Sequence, residues 1–371
     1  MQKNIFNTKN YWRNIDKQIL SCFLVLFILG VFISFSSTSF LADERLNKSY
    51  YFFFQKHLIY AFASFFVMIF ISTLSTNVIN KSLIPIFIFF LLLLLLVPFF
   101  GTEVKGAKRW LNLYIFRFQP IEFVKPFFIL IVAQVISTTK VKSLNFSHII
   151  SFLFLSLITL LLLIQPDVGQ TILLIASWSS LIFVSGFSII FLILIFLILI
   201  VLFFLLLYMA PDRFSYISSR ITSFMDPEKS GWSQSQKAIE AIKQGGFKGQ
   251  GMGEGILKES VPEAHTDYII AVISEEFGSV ISILIIMIFL FIAFRIIKKV
   301  INLSNNYYKL ALCGLTSLII FQTFIHIGVN ANLLPSTGMT LPFLSYGGSS
   351  LLSTGIVAGI ILNYTSLTEK N

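Results

Sequence analysis

The chemistry of this chain is gathered in a few polar segments between long apolar runs. In Glu263-Ala264-His265-Thr266-Asp267-Tyr268, which follows Pro262, an imidazole, a hydroxyl and a carboxylate occupy consecutive positions. Ionisable side chains placed where an apolar run begins are functional candidates by default. The plainer reading of Thr266 or Asp267 is a cap for the helix that follows. His265 and Asp267 lack a third evident ligand, so no structural metal site is expected. A Mg²⁺ or Mn²⁺ ion shared between carboxylates and a substrate pyrophosphate remains compatible with the pattern. A second cluster, Lys105, Lys108 and Arg109 beside Trp110, fits phosphate, since a guanidinium matches phosphate oxygens as a fork. It fits equally an interfacial anchor, with Trp at headgroup depth and the basic groups reaching lipid phosphate. Arg220, just before Asp226-Pro227-Glu228, suits either job.

Glu122 and Lys125 are three residues apart, hence on one helical face, where each neutralises the other. They read as an ion pair or as a substrate site. Asp167, in Gln165-Pro166-Asp167-Val168-Gly169, sits in a tight turn as a helix cap or as a functional carboxylate. If a helix begins at Asp267, Glu275 lies about 12 Å deeper and about 80° around it, too far to pair with that carboxylate. His326 reads as a hydrogen-bonded core residue. The glycines at 245, 246, 249, 251, 253 and 255 contain a G-x-G spacing, but no strand precedes it, so flexible backbone is expected rather than a phosphate cradle.

The elements that must position these groups are membrane helices. Of 371 residues, 56% are hydrophobic and 12% charged, against about 25% charged in soluble domains. Apolar runs mark ten spans, near 19–37, 57–75, 82–100, 123–137, 149–164, 171–184, 188–209, 268–294, 309–329 and 349–362. The fold class is an all-α polytopic membrane protein, one domain over 1–371. The first run reads as a retained helix rather than a signal peptide, having no A-x-A site. With the N-terminus inside, short inner segments carry twelve basic residues against seven in the first two outer loops. Both termini are therefore expected in the cytoplasm, with the long loop 210–267 between spans seven and eight outside. The net charge of +10 then reflects orientation and anionic membrane lipids rather than nucleic acid. Cys22 and Cys313 fall inside apolar runs and build no disulfide framework. Prolines and glycines across 334–350, around Ser345 and Tyr346, indicate irregular backbone that is re-entrant or lines a cavity.

Five motifs occur together and in order: Gly106-Ala107-Lys108-Arg109-Trp110, Gln119 through Pro126, Gln165 through Gly169, Pro262 through Tyr268 with Glu275-Glu276-Phe277-Gly278, and Leu334 through Ser350. The set resembles the SEDS family of bacterial cell-wall polymerases along essentially the whole chain, and looks closer to its FtsW branch than to its RodA branch. The resemblance implies a peptidoglycan glycosyltransferase that polymerises lipid II at the outer face of the cytoplasmic membrane, at the division septum. An FtsI-like class B penicillin-binding protein and other divisome proteins would be its partners. The family's essential aspartate falls on Asp267, and its conserved Glu and Lys fall on Glu122 and Lys125. Lys108, Arg109, Trp110, Asp167, Arg220, His265, Thr266, Ser345 and Tyr346 are the expected substrate-binding residues beside these, with no tightly bound cofactor. Ile121, where Ser is usual, and Lys105, where Asn is common, depart from the pattern. A lipid II flippase and a non-catalytic scaffold are the rival functions. Transport would need charge paths to both faces, yet the charged groups crowd one side.

Overall fold

A computed structural model describes residues 14–46, 51–104, 106–112, 117–138, 146–190, 193–194, 196–198, 201, 208–209, 215–225, 234–257, 261 and 263–367. Lys105, Pro262, Asp226-Pro227-Glu228 and half of the expected seventh span lie outside the described residues. The helices are α1 (Lys17–Leu46), α2 (Phe52–Thr73), α3 (Thr76–Phe100), α4 (Pro120–Ser137), α5 (Phe146–Ile164), α6 (Val168–Val184), α7 (Ser215–Met225), α8 (Gln234–Gly245), α9 (Ile269–Ile301), α10 (Asn306–Asn330) and α11 (Gly348–Thr365). Among the described residues seven of these, α1 to α5, α9 and α10, are long and apolar enough to cross a membrane, and α6 is a shorter apolar helix. This is a multi-pass membrane protein.

Burial divides the helices into two kinds. α3 and α5 turn large apolar side chains outward, such as Phe89, Leu92, Leu153 and Leu160, as lipid solvates them without cost. α4 is buried nearly all round from Pro120 to Ala133, and a helix with no lipid contact is free to carry charge at depth. Pro120 opens α4 at its first turn, where its missing N–H is no loss. α4 packs on α3 and α10, α10 also packs on α6, and α11 lies against α2. A second, smaller core (Ala238, Ala241, Val261, Ala264, Tyr268, Ala271, Val272 and Val329) joins α8 to the start of α9 and the end of α10.

Two features depart from the sequence reading. The segment after α3 is not a simple anchor loop but an antiparallel three-stranded sheet, β1 (Thr102–Val104), β2 (Ala107–Asn112) and β3 (Arg117–Phe118). Glu103 faces Lys108 across the β1–β2 pair, an opposite-charge pair that supports the register. The glycine series is not flexible backbone either: it interlocks with a break in α9 at Gly278, whose φ of 82° and ψ of 167° are non-helical. A Cβ on Gly249 would lie 2.2 Å from the Glu276 carbonyl oxygen, and one on Gly278 would lie 2.1 Å from that of Phe247. The backbones touch because neither position has a side chain. The N–H groups of Gln250 and Gly251 donate to the Glu275 and Glu276 carbonyls at 2.9 and 3.0 Å, and Ser279 N–H donates to Gly246 at 2.9 Å. Groups orphaned by the helix break are thereby satisfied.

Candidate active site around Gly338

Gly338 lies in the irregular segment between α10 and α11 with a φ of 75°. A Cβ built there would sit 3.7 Å from Asp267 Oδ2 and 4.0 Å from both Arg109 Nη1 and Arg220 Nη1. Three charged groups from three separate parts of the chain thus converge on one glycine. β2 delivers Arg109: alternation along the strand leaves Lys108 exposed on one face and turns Arg109 inward. The Arg109 guanidinium donates to the carbonyls of Gln165 (3.4 Å) and Pro166 and lies 3.8 Å from Asp167 Oδ2. Arg220, on α7, donates to the Ser336 carbonyl at 2.7 Å. Trp110 follows on β2, half-buried, and pairs with Thr102.

Asp267 reaches this point because it does not cap α9. The cap position is Tyr268, with no side-chain cap bond, and Thr266 Oγ1 donates instead to the Glu263 carbonyl at 3.2 Å. Asn330, at the end of α10, takes over the cap. Its Oδ1 accepts from Ala271 N–H at 3.1 Å, and its Nδ2 donates to the Asp267 carbonyl at 3.0 Å. Asp167 caps α6, with Oδ1 accepting from Gln170 N–H, while Oδ2 faces Arg109 and accepts from Gln119 Nε2 at 3.3 Å.

Ser345 and Tyr346 fasten the irregular segment to the loop before α9. Ser345 Oγ donates to the Thr266 carbonyl at 2.7 Å and accepts from Leu341 N–H at 2.8 Å, and Tyr346 N–H donates to the His265 carbonyl at 3.0 Å. Buried Ser345 is therefore a staple rather than a surface a substrate touches. His326 is a core residue as expected, with Nδ1 2.8 Å from the Met339 carbonyl.

Glu122 and Lys125 form a second assembly, joined to Asp167 through Gln170. Lys125 Nζ is 2.9 Å from Glu122 Oε2 and donates to Gln170 Oε1 at 2.7 Å, while Gln170 Nε2 donates to Glu122 Oε1 at 2.7 Å. The ring is closed and almost wholly buried. Both charged residues also line a small cavity with Leu318, Gln322, Pro342 and Ser353. Sequence reasoning missed Gln170, Gly338, Asn330 and Tyr268. Burial pushes the Tyr268 hydroxyl up to about 12, so it stays neutral beside Ser235, its oxygen partner at 3.4 Å. Among the described residues no group of three or more His, Cys, Asp or Glu is placed to hold a metal ion.

Residues 16–370 match the family of cell cycle proteins that takes its name from FtsW, RodA and SpoVE. The probable peptidoglycan glycosyltransferase FtsW of Caulobacter vibrioides is 33% identical over 352 residues, covering 95% of this chain and 89% of that one. Stage V sporulation protein E of Bacillus subtilis is 32% identical over 347 residues, covering 92% and 94%. The fold is similar to that of the rod shape determining protein RodA of Thermus thermophilus, with a TM-score of 0.67 at 22% identity over 95% of this chain and 97% of that one. It is also similar to a chain of a peptidoglycan synthase complex, solved to describe the coordination of polymerization and crosslinking, with a TM-score of 0.70 at 23% identity over the same shares. The chain belongs to the FtsW, RodA and SpoVE family of cell cycle proteins.

Proposed function

We propose that this chain is a peptidoglycan glycosyltransferase that polymerises lipid II into glycan strands on the outer face of the cytoplasmic membrane during septal wall synthesis. The activity carried by the relatives' names supports this reading, and the observation that carries it chemically is the convergence of Asp267, Arg109 and Arg220 on Gly338. A sugar hydroxyl of the acceptor attacks the anomeric carbon of the donor. The new glycosidic bond forms as the bond to polyprenyl pyrophosphate breaks, with inversion. Asp267 takes the hydroxyl proton as general base. Arg109 and Arg220, with Lys108 exposed on the same strand as Arg109, stabilise the negative charge that grows on the departing pyrophosphate. Trp110 sits beside them at headgroup level. His265, Thr266, Ser345 and Tyr346 set the shape of the wall next to Asp267, Asp167 orients Arg109, and Glu122 with Lys125 holds the floor.

Asp267 beside two guanidiniums is a poor resident cation site, because the arginines repel the ion. Mg²⁺ or Mn²⁺ would enter on the substrate's pyrophosphate. In this reading the chain is one domain of ten spans with both termini in the cytoplasm and the segment 210–267 outside. It works at the septum beside a class B penicillin-binding protein and other divisome proteins. The test is polymerisation of lipid II by the purified chain in detergent, with and without EDTA, next to Asp267→Ala. Polymer from the wild type and none from the variant is expected. A wild type that makes no polymer where no bilayer needs crossing would return the reading to a transporter or a scaffold.

A further inference from the structure

Three rings stand together beside the loop that ends in Asp267. Phe53, on the first turn of α2, lies 5.3 Å from His265 and 5.6 Å from Tyr346, and the His265 and Tyr346 rings are 5.7 Å apart. All three are partly exposed. Behind Tyr346, with ring centroids 6.2 Å apart, lies His57, one turn further along α2. His57 is 0% exposed, and neither of its ring nitrogens has a hydrogen-bond partner among the described residues. A buried donor and acceptor left without partners is costly, and such groups in a native structure call for an explanation.

The chemistry of this wall differs from that around Gly338. The guanidiniums are there; here the wall offers π faces and two imidazoles, of which His57 is buried without a hydrogen-bond partner among the described residues. An anion gains nothing from it, and an acyl chain has no use for an imidazole. A pyranose ring matches both parts. Its axial C–H groups form an apolar face with slightly positive hydrogens, which rest against the negative face of an aromatic ring. Its hydroxyl and acetamido edges supply the donors and acceptors that His57 lacks. The backbone bond from Tyr346 to His265 and the bond from Ser345 to Thr266 hold this wall to the two residues preceding Asp267.

We propose that Phe53, His265 and Tyr346 form a stacking platform for a sugar ring of the lipid-linked saccharide, and that His57 receives one of its polar substituents when the Tyr346 ring tilts aside. This rests on the glycosyltransferase reading and adds two residues on α2, Phe53 and His57, to the substrate site. It divides recognition in two: arginines for the pyrophosphate, rings for the sugar.

The test compares binding of two lipids to the full purified chain: lipid II, and undecaprenyl pyrophosphate, which carries no sugar. Wild type is expected to bind lipid II the more tightly. Phe53→Leu, which keeps the apolar volume but removes the ring, should weaken lipid II binding about fivefold and leave the sugar-free lipid unchanged, while Phe53→Trp keeps the wild-type difference. His57→Leu should lose part of the same difference and His57→Gln should restore it; if these fold poorly, the Phe53 pair decides. Equal binding of the two lipids by wild type, or equal weakening of both by Phe53→Leu, overturns the platform. A separate polymerisation assay keeps the two readings apart. If wild type makes no polymer yet shows a sugar-dependent difference that Phe53→Leu abolishes, the platform stands and the glycosyltransferase reading falls. If wild type polymerises and Phe53→Leu binds both lipids as wild type does, only the platform falls.

Discussion

The ring of Glu122, Lys125 and Gln170 and the cluster around Gly338 are both built from charges close to a membrane, yet they are organised in opposite ways. In the ring, each carboxylate oxygen of Glu122 faces a nitrogen at 2.7–2.9 Å, and the net charge is zero. Around Gly338, the Asp267 carboxylate meets two guanidiniums that come from β2 and α7, Asp167 stands 3.8 Å from Arg109, and the Arg109 side chain keeps 14% of its surface exposed. A sealed, neutral assembly contributes rigidity. The Gly338 assembly is partly open, and its two guanidiniums stand beside the two carboxylates of Asp267 and Asp167. Under the proposed function this difference gives α4 a supporting part and the Gly338 region the chemistry, although sequence alone gave both a claim on substrate.

Breaking the ring on one side should have the largest effect on folding. Glu122→Gln leaves Lys125 buried without its counter-charge, a loss of about 3–5 kcal/mol, read as a lower thermal midpoint in detergent. Glu122→Gln with Lys125→Met removes both charges and should recover much of it; a double variant no more stable than the single would show that the ring is not a closed unit. Next comes Gly278→Ala. The left-handed φ and the contact with Phe247 both resist a methyl group, and about 1–3 kcal/mol of strain is expected, with faster proteolysis of the glycine segment 245–255 as the readout. Arg220→Ala tests the open side. Arg220 is partly exposed and donates to a backbone carbonyl, that of Ser336, so the midpoint should hold while lipid II polymerisation falls about 10–100-fold. Asn330→Ala is the mildest: losing a cap supplied from another helix costs about 1 kcal/mol, visible as faster amide exchange at Ala271. Unchanged exchange there would hand the cap back to Thr266 or Asp267.

How much of this was legible depended on whether the cause was local. Apolar run length fixes where helices lie, so 57–75, 82–100 and 149–164 correspond to α2, α3 and α5, whose starts lie three to six residues earlier. The i, i+3 pairing of Glu122 with Lys125 is likewise a property of one helix. Gln170 was readable in principle, as an amide three residues after the Asp167 cap in an otherwise apolar run. The sheet was hidden because its strands are two to six residues long, too short for an alternation to show. The cap supplied by Asn330 and the convergence on Gly338 join residues far apart in the chain, and no spacing rule reaches that far. The glycine series was misread for a physical reason: glycine serves flexible backbone and close backbone contact alike, and only the partner at Gly278 decides between them.

The account stands on Asp267 serving reaction rather than fold, and the direct measurement takes thermal midpoint and lipid II polymerisation together on purified Asp267→Asn. A midpoint equal to that of wild type, with polymerisation reduced at least about 100-fold, is the predicted result. A folded Asp267→Asn protein that polymerises lipid II at the wild-type rate would contradict it.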